Sequence, residues 1–284
     1  MPWELNQLKE AAINSSRAAF GYESPFIDYE VVQRCKLSSF TRSFSGLKID
    51  YDSYIEWLDS IVRERGPCWQ PLRTPSDHHY TTDTSQNLSF PEYDAFMLDA
   101  MIWAFKPQTI LELGSGMSTR QILDSCSNLS LRTSVTCVDK YASRSVKEWL
   151  DSVNLNFVDS DIVELDLEYA RQLSAGDILF VDSSHVLKPY GDVEFIFLVL
   201  LPQLANGVVV HVHDIFLPYT YPDQWLLEWK CSLTENQLLG AFLHNNMGVR
   251  ILSANHYNSC RGVCIHQSLK DVNGGSFWFE IVNS

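Results

Sequence analysis

Ionisable side chains that could carry out chemistry come directly after the apolar run Val208–Val212, where the chain continues with His213 and Asp214. Side chains alternate between the two faces of a strand, so His211 and His213 share a face and His211 lies deeper. We predict that His211 is a core histidine bonded to a neighbouring element, and that His213 and Asp214 lie at the open end of the strand. An imidazole beside a carboxylate can transfer protons near neutral pH or bind a divalent cation.

A second pair of such side chains, Asp182 and His185, follows the apolar run Ile178–Val181. Neighbouring parallel strands lie about 5 Å apart, which would set Asp182 beside Asp214. Two mechanisms are then open. In one, Asp182, Asp214 and a histidine, assigned as His185, bind Mg²⁺, Mn²⁺ or Fe²⁺, which lowers the pKa of a substrate hydroxyl. In the other, His185 or His213 is the general base and a carboxylate orients its ring.

A glycine turn follows another apolar run, Thr109–Leu113, and reads Gly114-Ser-Gly116-Met-Ser118. Glycines there allow a tight turn and close approach of a ligand. We predict that Ser118 is the N-cap of the next helix, whose N-terminus favours anionic or carboxylate groups. Asp139 ends the next predicted strand and is placed to bind a ribose diol. A dinucleotide fingerprint would have Gly or Ala at Thr119, which argues against NAD.

Strands and helices that could position these side chains alternate from residue 106 onward, which predicts an α/β fold with a parallel sheet covered on both faces. The predicted parallel strands are Thr109–Leu113, Thr133–Val138, Leu155–Val158, Ile178–Val181 and Val208–Val212. The predicted helices are Ser118–Cys126, Ser143–Ser152, Val163–Leu173, Asp192–Leu204 and Glu235–His244. Two further runs, Val249–Ser253 and Ser276–Val282, predict an antiparallel hairpin at the sheet edge.

Residues 1–105 have helical periodicity, with predicted helices at 51–65 and 91–105 and a polar loop between them that contains His78 and His79. We predict a helical N-terminal cap over 1–105, which covers the acceptor side or forms a homodimer interface, and a catalytic domain over 106–284. The loop of His78 and His79 is expected to be solvated.

Composition restricts the partners of this 284-residue chain, whose formal net charge is −14. An acidic surface repels nucleic acid and anionic membranes, so a small-molecule partner is predicted. The N-terminus has no apolar signal segment and no apolar run is long enough to span a membrane. Seven scattered cysteines fit a reducing compartment, which predicts a cytoplasmic protein.

The stretch ILELGSGMST resembles motif I of class I S-adenosylmethionine-dependent methyltransferases. Asp139, in VTCVDKY, matches their ribose-binding acid, and Asp161, in FVDSDIVEL, is similar to the acid that meets the adenine amino group. The resemblance covers about residues 106–284 and implies a Rossmann-like sheet of seven strands, five parallel plus a C-terminal antiparallel hairpin. It also implies contacts around the methionine and sulfonium end of the cofactor from Glu112, Gly114, Gly116 and Ser118.

Two likenesses extend this resemblance. VDSSHVLKPYGDV is similar to a stretch of metal-dependent sugar and macrolide O-methyltransferases, but the catechol type has Asp-Asn where this chain has Asp214-Ile215. FVDSSHV, HVHDIFLPYTYP and ENQLLGAFL are similar to motifs of a little-characterised bacterial methyltransferase group, which brings no known substrate.

These features predict a methyltransferase (EC 2.1.1.-) that transfers a methyl group from S-adenosylmethionine to oxygen, with nitrogen as the alternative, on a small polar metabolite or natural product. The aromatic segment Ile215–Trp229 is expected to be either a lid on the acceptor side that excludes water or a packed loop that covers the sheet edge. The alternatives are an NAD-type oxidoreductase and a catalytically inert methyltransferase-like binding subunit.

Overall fold

A seven-stranded sheet organises the chain, for which a computed structural model describes residues 2–20, 24–37, 43–44, 46–70, 90–269 and 273–282. The strand order is β3-β2-β1-β4-β5-β7-β6. The strands are β1 Thr109–Leu113, β2 Ser134–Val138, β3 Asn156–Val158, β4 Ile178–Val181, β5 Val209–Val212, β6 Val249–Ala254 and β7 Phe277–Ile281. Strands β1 to β5 pair in parallel, and β7 pairs antiparallel with both β5 and β6. The predicted fold class is confirmed.

Helices cover both faces of the sheet, as the buried, near-continuous apolar strands require. They are α1 Pro2–Phe20, α2 Tyr29–Leu37, α3 Ile55–Arg65, α4 Glu92–Phe105, α5 Met117–Asn128, α6 Arg144–Leu150, α7 Glu168–Arg171, α8 Asp192–Phe195, α9 Glu235–Leu243 and α10 Asn255–Arg261. Helix α4 is almost entirely buried and belongs to the same apolar core as the strands.

Two predicted helices differ in the structure. In place of one helix over 163–173 there is a 3₁₀ turn, Ile162–Glu164, followed by the short helix α7. The side chains of Asp161 and Asp166 accept backbone N–H groups and start each turn separately. The helix predicted over 192–204 is α8 continued by a π turn, Ile196–Leu200, and a 3₁₀ turn, Leu201–Gln203.

The antiparallel pair of β6 and β7 is confirmed, but the connection between them holds helix α10, which the sequence analysis did not predict. Asn255, the first residue of α10, donates from Nδ2 to Asp94 on α4. The helix ends at Gly262, which adopts a left-handed conformation. Helix α10 therefore connects the sheet edge to the buried helix α4.

The N-terminal elements contact two different parts of the molecule. Helix α3 packs on α4 and β6. Helix α2 instead packs on a π turn at Gln224–Glu228, and Ser43 forms an isolated antiparallel bridge with Tyr219. The predicted loop of His78 and His79 lies outside the described residues. The division at residue 105 stays a prediction, as does a homodimer interface.

Candidate active site

A cavity of about 480 Å³ lies at the carboxyl ends of the parallel strands. Ligands of open α/β sheets bind at this edge, where the strand order reverses. The strand order reverses here between β1 and β4. The cavity is lined by Gly114, Ser115, Val138, Asp139, Lys140, Tyr141, Asp161, Ile162, Val163, Asp182, Ser183, Ser184, Lys188, Tyr190, Gly191 and Asp192.

Gly114 brings the turn after β1 against the residue that follows β4. Its φ is +104°, and a Cβ atom there would lie 2.1 Å from the carbonyl oxygen of Asp182. Only glycine fits this position, because both the backbone angle and the contact exclude a side chain. The glycine turn thus places the floor of the cavity directly beside Asp182.

Asp139 forms the wall of the cavity at the end of β2. Its Oδ1 accepts hydrogen bonds from the backbone N–H groups of Tyr141 (2.8 Å) and Ala142 (2.9 Å). Its Oδ2 accepts a bond from the Ser115 hydroxyl at 2.5 Å. Because the backbone fixes one oxygen, the other faces the glycine turn, where a ligand diol can compete with Ser115.

Asp161 lies at the far end of the cavity, after β3. Its Oδ2 accepts a hydrogen bond from the Tyr141 hydroxyl at 2.9 Å and lies 3.7 Å from Nζ of Lys140. The Tyr141 side chain is 81% exposed, so it spans the cavity mouth between the two acids. Tyr141 was not among the predicted site residues.

Glu112 and Ser118 lie behind the glycine turn rather than on the cavity surface. Both are buried, and the Ser118 hydroxyl donates to Oε1 of Glu112 at 2.7 Å. Burial raises the pKa of Glu112 to about 8. The predicted N-cap role of Ser118 is wrong, because helix α5 begins at Met117 and Gly116 occupies the cap position. The hydroxyl of Thr119 accepts the Gly116 N–H instead, at 3.0 Å.

The four residues predicted for catalysis come together at the ends of β4 and β5. Nε2 of His185 lies 3.4 Å from Oδ1 of Asp182 and 3.4 Å from Oδ2 of Asp214. Nδ1 of His213 lies 3.4 Å from Oδ1 of Asp182 and 3.6 Å from Oδ1 of Asp214. Two imidazoles and two carboxylates thus alternate around one point, and we call these four residues the His–Asp ring.

Backbone geometry holds the ring in place. The N–H of Asp182 donates to Leu113 and that of His213 donates to Val181, which extends the sheet pairing beyond β4 and β5. His185 and Asp214 both have left-handed backbone angles, with φ of +57° and +56°. Such angles are uncommon outside glycine and concentrate at functional sites.

Two fully buried carboxylates that the sequence analysis did not select support the ring from outside. Oε2 of Glu235, on α9, lies 2.8 Å from Nδ1 of His185. Oδ2 of Asp94, on α4, lies 3.8 Å from Nε2 of His213. Both acids lie near helix N-termini, where sequence patterns suggest only capping roles. Their burial, which would have marked them as unusual, cannot be read from the sequence.

Mutual attraction sets the charges in the ring. Although burial opposes it, nearby carboxylates raise the pKa of His185 well above its usual value, and they raise that of His213 to about 9. Against the same effect of burial, the two imidazoles hold the pKa of Asp182 well below its usual range. Burial raises the pKa of Asp214, and the imidazoles offset only part of that rise. Protonated imidazoles facing at least one carboxylate are the stable ground state.

His211 takes no part in the ring. Its ring stacks on Phe180 with centroids 3.8 Å apart, and its Nε2 lies 2.8 Å from the Ser276 hydroxyl. Burial holds the pKa of His211 well below its usual value, so the imidazole of His211 is neutral. The prediction of a core histidine bonded to a neighbouring element is confirmed.

The predicted lid is a packed element. Phe216, Tyr221 and Leu226 form a second apolar cluster, apart from the main core. Trp225 stacks on Tyr221 and on Trp229, with ring centroids 6.1 and 5.7 Å apart. Opening of this segment during a reaction stays a prediction.

The chemistry of the His–Asp ring suits a divalent cation, but its geometry is not that of a formed metal centre. Among the described residues, no group of three or more His, Cys, Asp or Glu side chains is arranged to hold a metal ion.

Residues 111–215 match a family described as a methyltransferase domain. The match begins in β1 and ends just after Asp214, so it contains the glycine turn, Asp139, Asp161 and the whole His–Asp ring. Comparison with curated proteins finds no match.

Solved methyltransferase structures resemble the chain at low identity. The S-adenosylhomocysteine-bound methyltransferase PaMTH1 of Podospora anserina is 13% identical, with 90% of this chain and 97% of that chain covered and a TM-score of 0.44. A putative caffeoyl-CoA O-methyltransferase of Staphylococcus aureus is 12% identical over 90% and 98%, also with a TM-score of 0.44. A CmcI structure with Mg and S-adenosylmethionine is 16% identical over 78% and 84%, with a TM-score of 0.39.

The family match thus places a methyltransferase domain over residues 111–215, within a sheet of order β3-β2-β1-β4-β5-β7-β6. Within the described residues, none of the helices combines the length and the apolar character that crossing a membrane requires.

Proposed function

We propose that this chain is a class I S-adenosylmethionine-dependent methyltransferase, that it transfers the methyl group to an oxygen atom of a small polar metabolite or natural product, and that His185 takes up the acceptor's proton. The observation that carries this function is the position of His185 Nε2, 3.4 Å from both Asp182, which lines the cavity, and Asp214. A hydroxyl acceptor must lose a proton as it attacks, and the ring supplies a base at that edge.

The cofactor fits the cavity by the chemistry of its lining. Asp139 offers a carboxylate oxygen to a ribose diol, and Asp161 lies farther along for the adenine end. Gly114 keeps the floor free of a side chain. We assign Glu112, Gly116 and Ser118 to the support of the turn around the methionine end, and Tyr141 to the cofactor-facing mouth.

When bound, S-adenosylmethionine would supply an electrophilic methyl group on its sulfonium. A bond from the acceptor oxygen to that methyl carbon would be balanced by return of the carbon–sulfur electron pair to sulfur. The acceptor O–H bond breaks and its proton moves to neutral His185 Nε2. The imidazolium that forms is stabilised by Asp182, Asp214 and Glu235, which is why these carboxylates make His185 a strong base.

The acceptor class can be tested with methyl-labelled S-adenosylmethionine and mixtures of phenols, sugars and amines, with the labelled products identified by NMR. We expect methoxyl products and their loss in His185→Asn. Transfer to nitrogen alone, or full turnover in His185→Asn, would contradict the proposal. The net charge of −14 makes nucleic acid an unfavourable acceptor, and a nucleic-acid sample serves as the negative control.

A second candidate mechanism uses a divalent cation held by Asp182, Asp214 and a histidine. The alternation of carboxylates and imidazoles in the ring favours it, since these ligands suit Mg²⁺, Mn²⁺ or Fe²⁺. If a cation is used, chelator abolishes turnover and one of these ions restores it. Full turnover in chelator leaves the histidine mechanism alone.

A further inference from the structure

Glu235 is a buried acid whose contacts serve a single side chain. It is 0% exposed, and its Oε2 lies 2.8 Å from His185 Nδ1. Its second oxygen, Oε1, has no hydrogen-bond partner among the described residues. A buried carboxylate costs stability unless its oxygens are bonded, so Glu235 is not explained by the stability of the fold.

Asp94 shows what a structural acid looks like in the same surroundings. It is equally buried, but it accepts hydrogen bonds from Asn255 Nδ2 (2.7 Å) and from the N–H groups of Gly275 (2.7 Å) and Ser276 (3.1 Å). These bonds connect α4, α10 and the segment before β7. Among the described residues, the Glu235 side chain makes no comparable connection, and its hydrogen bond goes to an imidazole of the His–Asp ring.

The backbone around Glu235 already holds the His185 loop. The carbonyl of His185 accepts the N–H groups of Thr234 (2.9 Å) and Glu235 (3.2 Å), and the Thr234 hydroxyl accepts the Leu187 N–H at 2.7 Å. These bonds fix where the His185 ring starts, but they leave its rotation and its proton free. The Glu235 carboxylate is the group that can settle both.

We propose that Glu235 is the positioning residue of His185, binding the proton on Nδ1 so that Nε2 faces the acceptor. The role rests on the function proposed above, in which Nε2 receives the acceptor's proton. A neutral imidazole carries its proton on one nitrogen, and the hydrogen bond made by that nitrogen selects which one. With Nδ1–H directed to Glu235, the Nε2 lone pair is directed to Asp182 and Asp214, of which Asp182 lines the cavity.

The proposal is tested on the full chain bound to S-adenosylhomocysteine, which requires no acceptor. Long-range nitrogen–proton NMR spectra of the His185 imidazole are recorded at a pH above its pKa, where it is neutral, for the natural protein, Glu235→Gln and Glu235→Leu. We expect a proton on Nδ1 in the natural protein. In Glu235→Leu the neutral ring should carry its proton on Nε2, facing the two aspartates, and Glu235→Gln, which keeps an acceptor oxygen, should retain part of the Nδ1–H form.

Stability and binding separate positioning from a structural role. We expect Glu235→Gln, which keeps the side-chain size and an acceptor oxygen, to melt within a few degrees of the natural protein. We expect both variants to bind S-adenosylhomocysteine within about twofold of the natural protein, since Glu235 does not line the cavity. The matched control is Glu148→Gln, an exposed glutamate paired with Arg144 on α6. A lower melting temperature with unchanged ring protonation would overturn the proposal, as would Nδ1–H persisting in Glu235→Leu.

The third measurement is turnover with the acceptor identified by methyl-labelled S-adenosylmethionine. We expect kcat to fall about 100-fold or more in Glu235→Leu, with KM for S-adenosylmethionine unchanged and partial rescue in Glu235→Gln. If Glu235 controls the ring proton but the acceptor atom is nitrogen, the assignment of Glu235 stands and the oxygen assignment fails. If methoxyl products form at full rate in Glu235→Leu, the oxygen assignment stands and Glu235 loses its role.

Discussion

The acids on the two halves of the cavity edge contact different kinds of groups. On the cofactor half, Asp139 and Asp161 are partly open and bond to backbone N–H groups, a hydroxyl or a lysine. On the acceptor half, Asp182 and Asp214 are partly open as well, but they contact two largely buried imidazoles. Acids bonded to neutral donors recognise a ligand at little cost, whereas contacts between acids and buried imidazoles hold the charges that a proton transfer needs. Variants on the cofactor half should therefore weaken cofactor binding, and variants on the acceptor half should slow turnover.

The largest effect is expected from Asp214→Ala. Removing this acid leaves Asp182 as the one carboxylate that contacts both imidazoles of the ring, so turnover should fall at least 100-fold, on the order of a lost general base. Affinity for S-adenosylhomocysteine by calorimetry should stay nearly unchanged. Asp151→Ala, at an exposed position after α6, is the matched control. Normal turnover in Asp214→Ala would remove Asp214 from the site.

The pH dependence of turnover tests the acceptor half alone. Carboxylates raise the pKa of His185 well above 6.5 against the effect of burial, and the neutral ring is the active form. The rate should therefore reach half of its plateau at a pH above 6.5. Below that point it should rise about tenfold for each pH unit. Asp182→Asn removes a carboxylate that raises the pKa of His185, so it should shift the rising part of the pH–rate profile to lower pH. A rate that is flat from about pH 6 to about pH 9 would contradict the base assignment.

On the cofactor half, Asp139→Ala should weaken S-adenosylhomocysteine binding by more than about 1 kcal/mol, the scale of one charged hydrogen bond. Asp139→Asn keeps the acceptor oxygen for the N–H groups of Tyr141 and Ala142, so it separates ligand contact from loss of the loop. Unchanged affinity in Asp139→Ala, measured by calorimetry, would contradict the ribose assignment.

The smallest effect on function is expected behind the glycine turn. Burial raises the pKa of Glu112 to about 8, above its value in the unfolded chain. Its contribution to stability is thus fully present below about pH 4.5 and is lost as pH rises through 8. Glu112→Gln should flatten this dependence and melt a few degrees higher than the natural protein near pH 9. If the natural protein and Glu112→Gln melt at the same temperature throughout this pH range, Glu112 is ionised in the fold.

The sheet and much of the ring were predictable from sequence. Periodicity identified all seven strands, because buried parallel strands are near-continuous apolar runs. Adjacent strand ends then implied that Asp182 and Asp214 would meet, and the structure places both beside His185 and His213.

What escaped sequence reasoning depends on contacts between distant segments. Glu235 is 50 residues from His185, and nothing local distinguishes it from an ordinary acid at the start of a helix. Helix α10 interrupts a hairpin whose strands alone are visible by alternation. Ser118 had the residue type of a cap, but a buried Glu112 provided a stronger partner for its hydroxyl.

The joint between the His185 loop and the start of α9 has an evolutionary consequence. Two backbone hydrogen bonds to the His185 carbonyl hold this joint whatever the side chains are, while the contact between the two side chains depends on both residues. Positions 185 and 235 should therefore change together among relatives, whereas the loop length between Asp182 and His185 should stay constant. A relative that lost the histidine but kept the buried acid would carry the cost of that acid without its use.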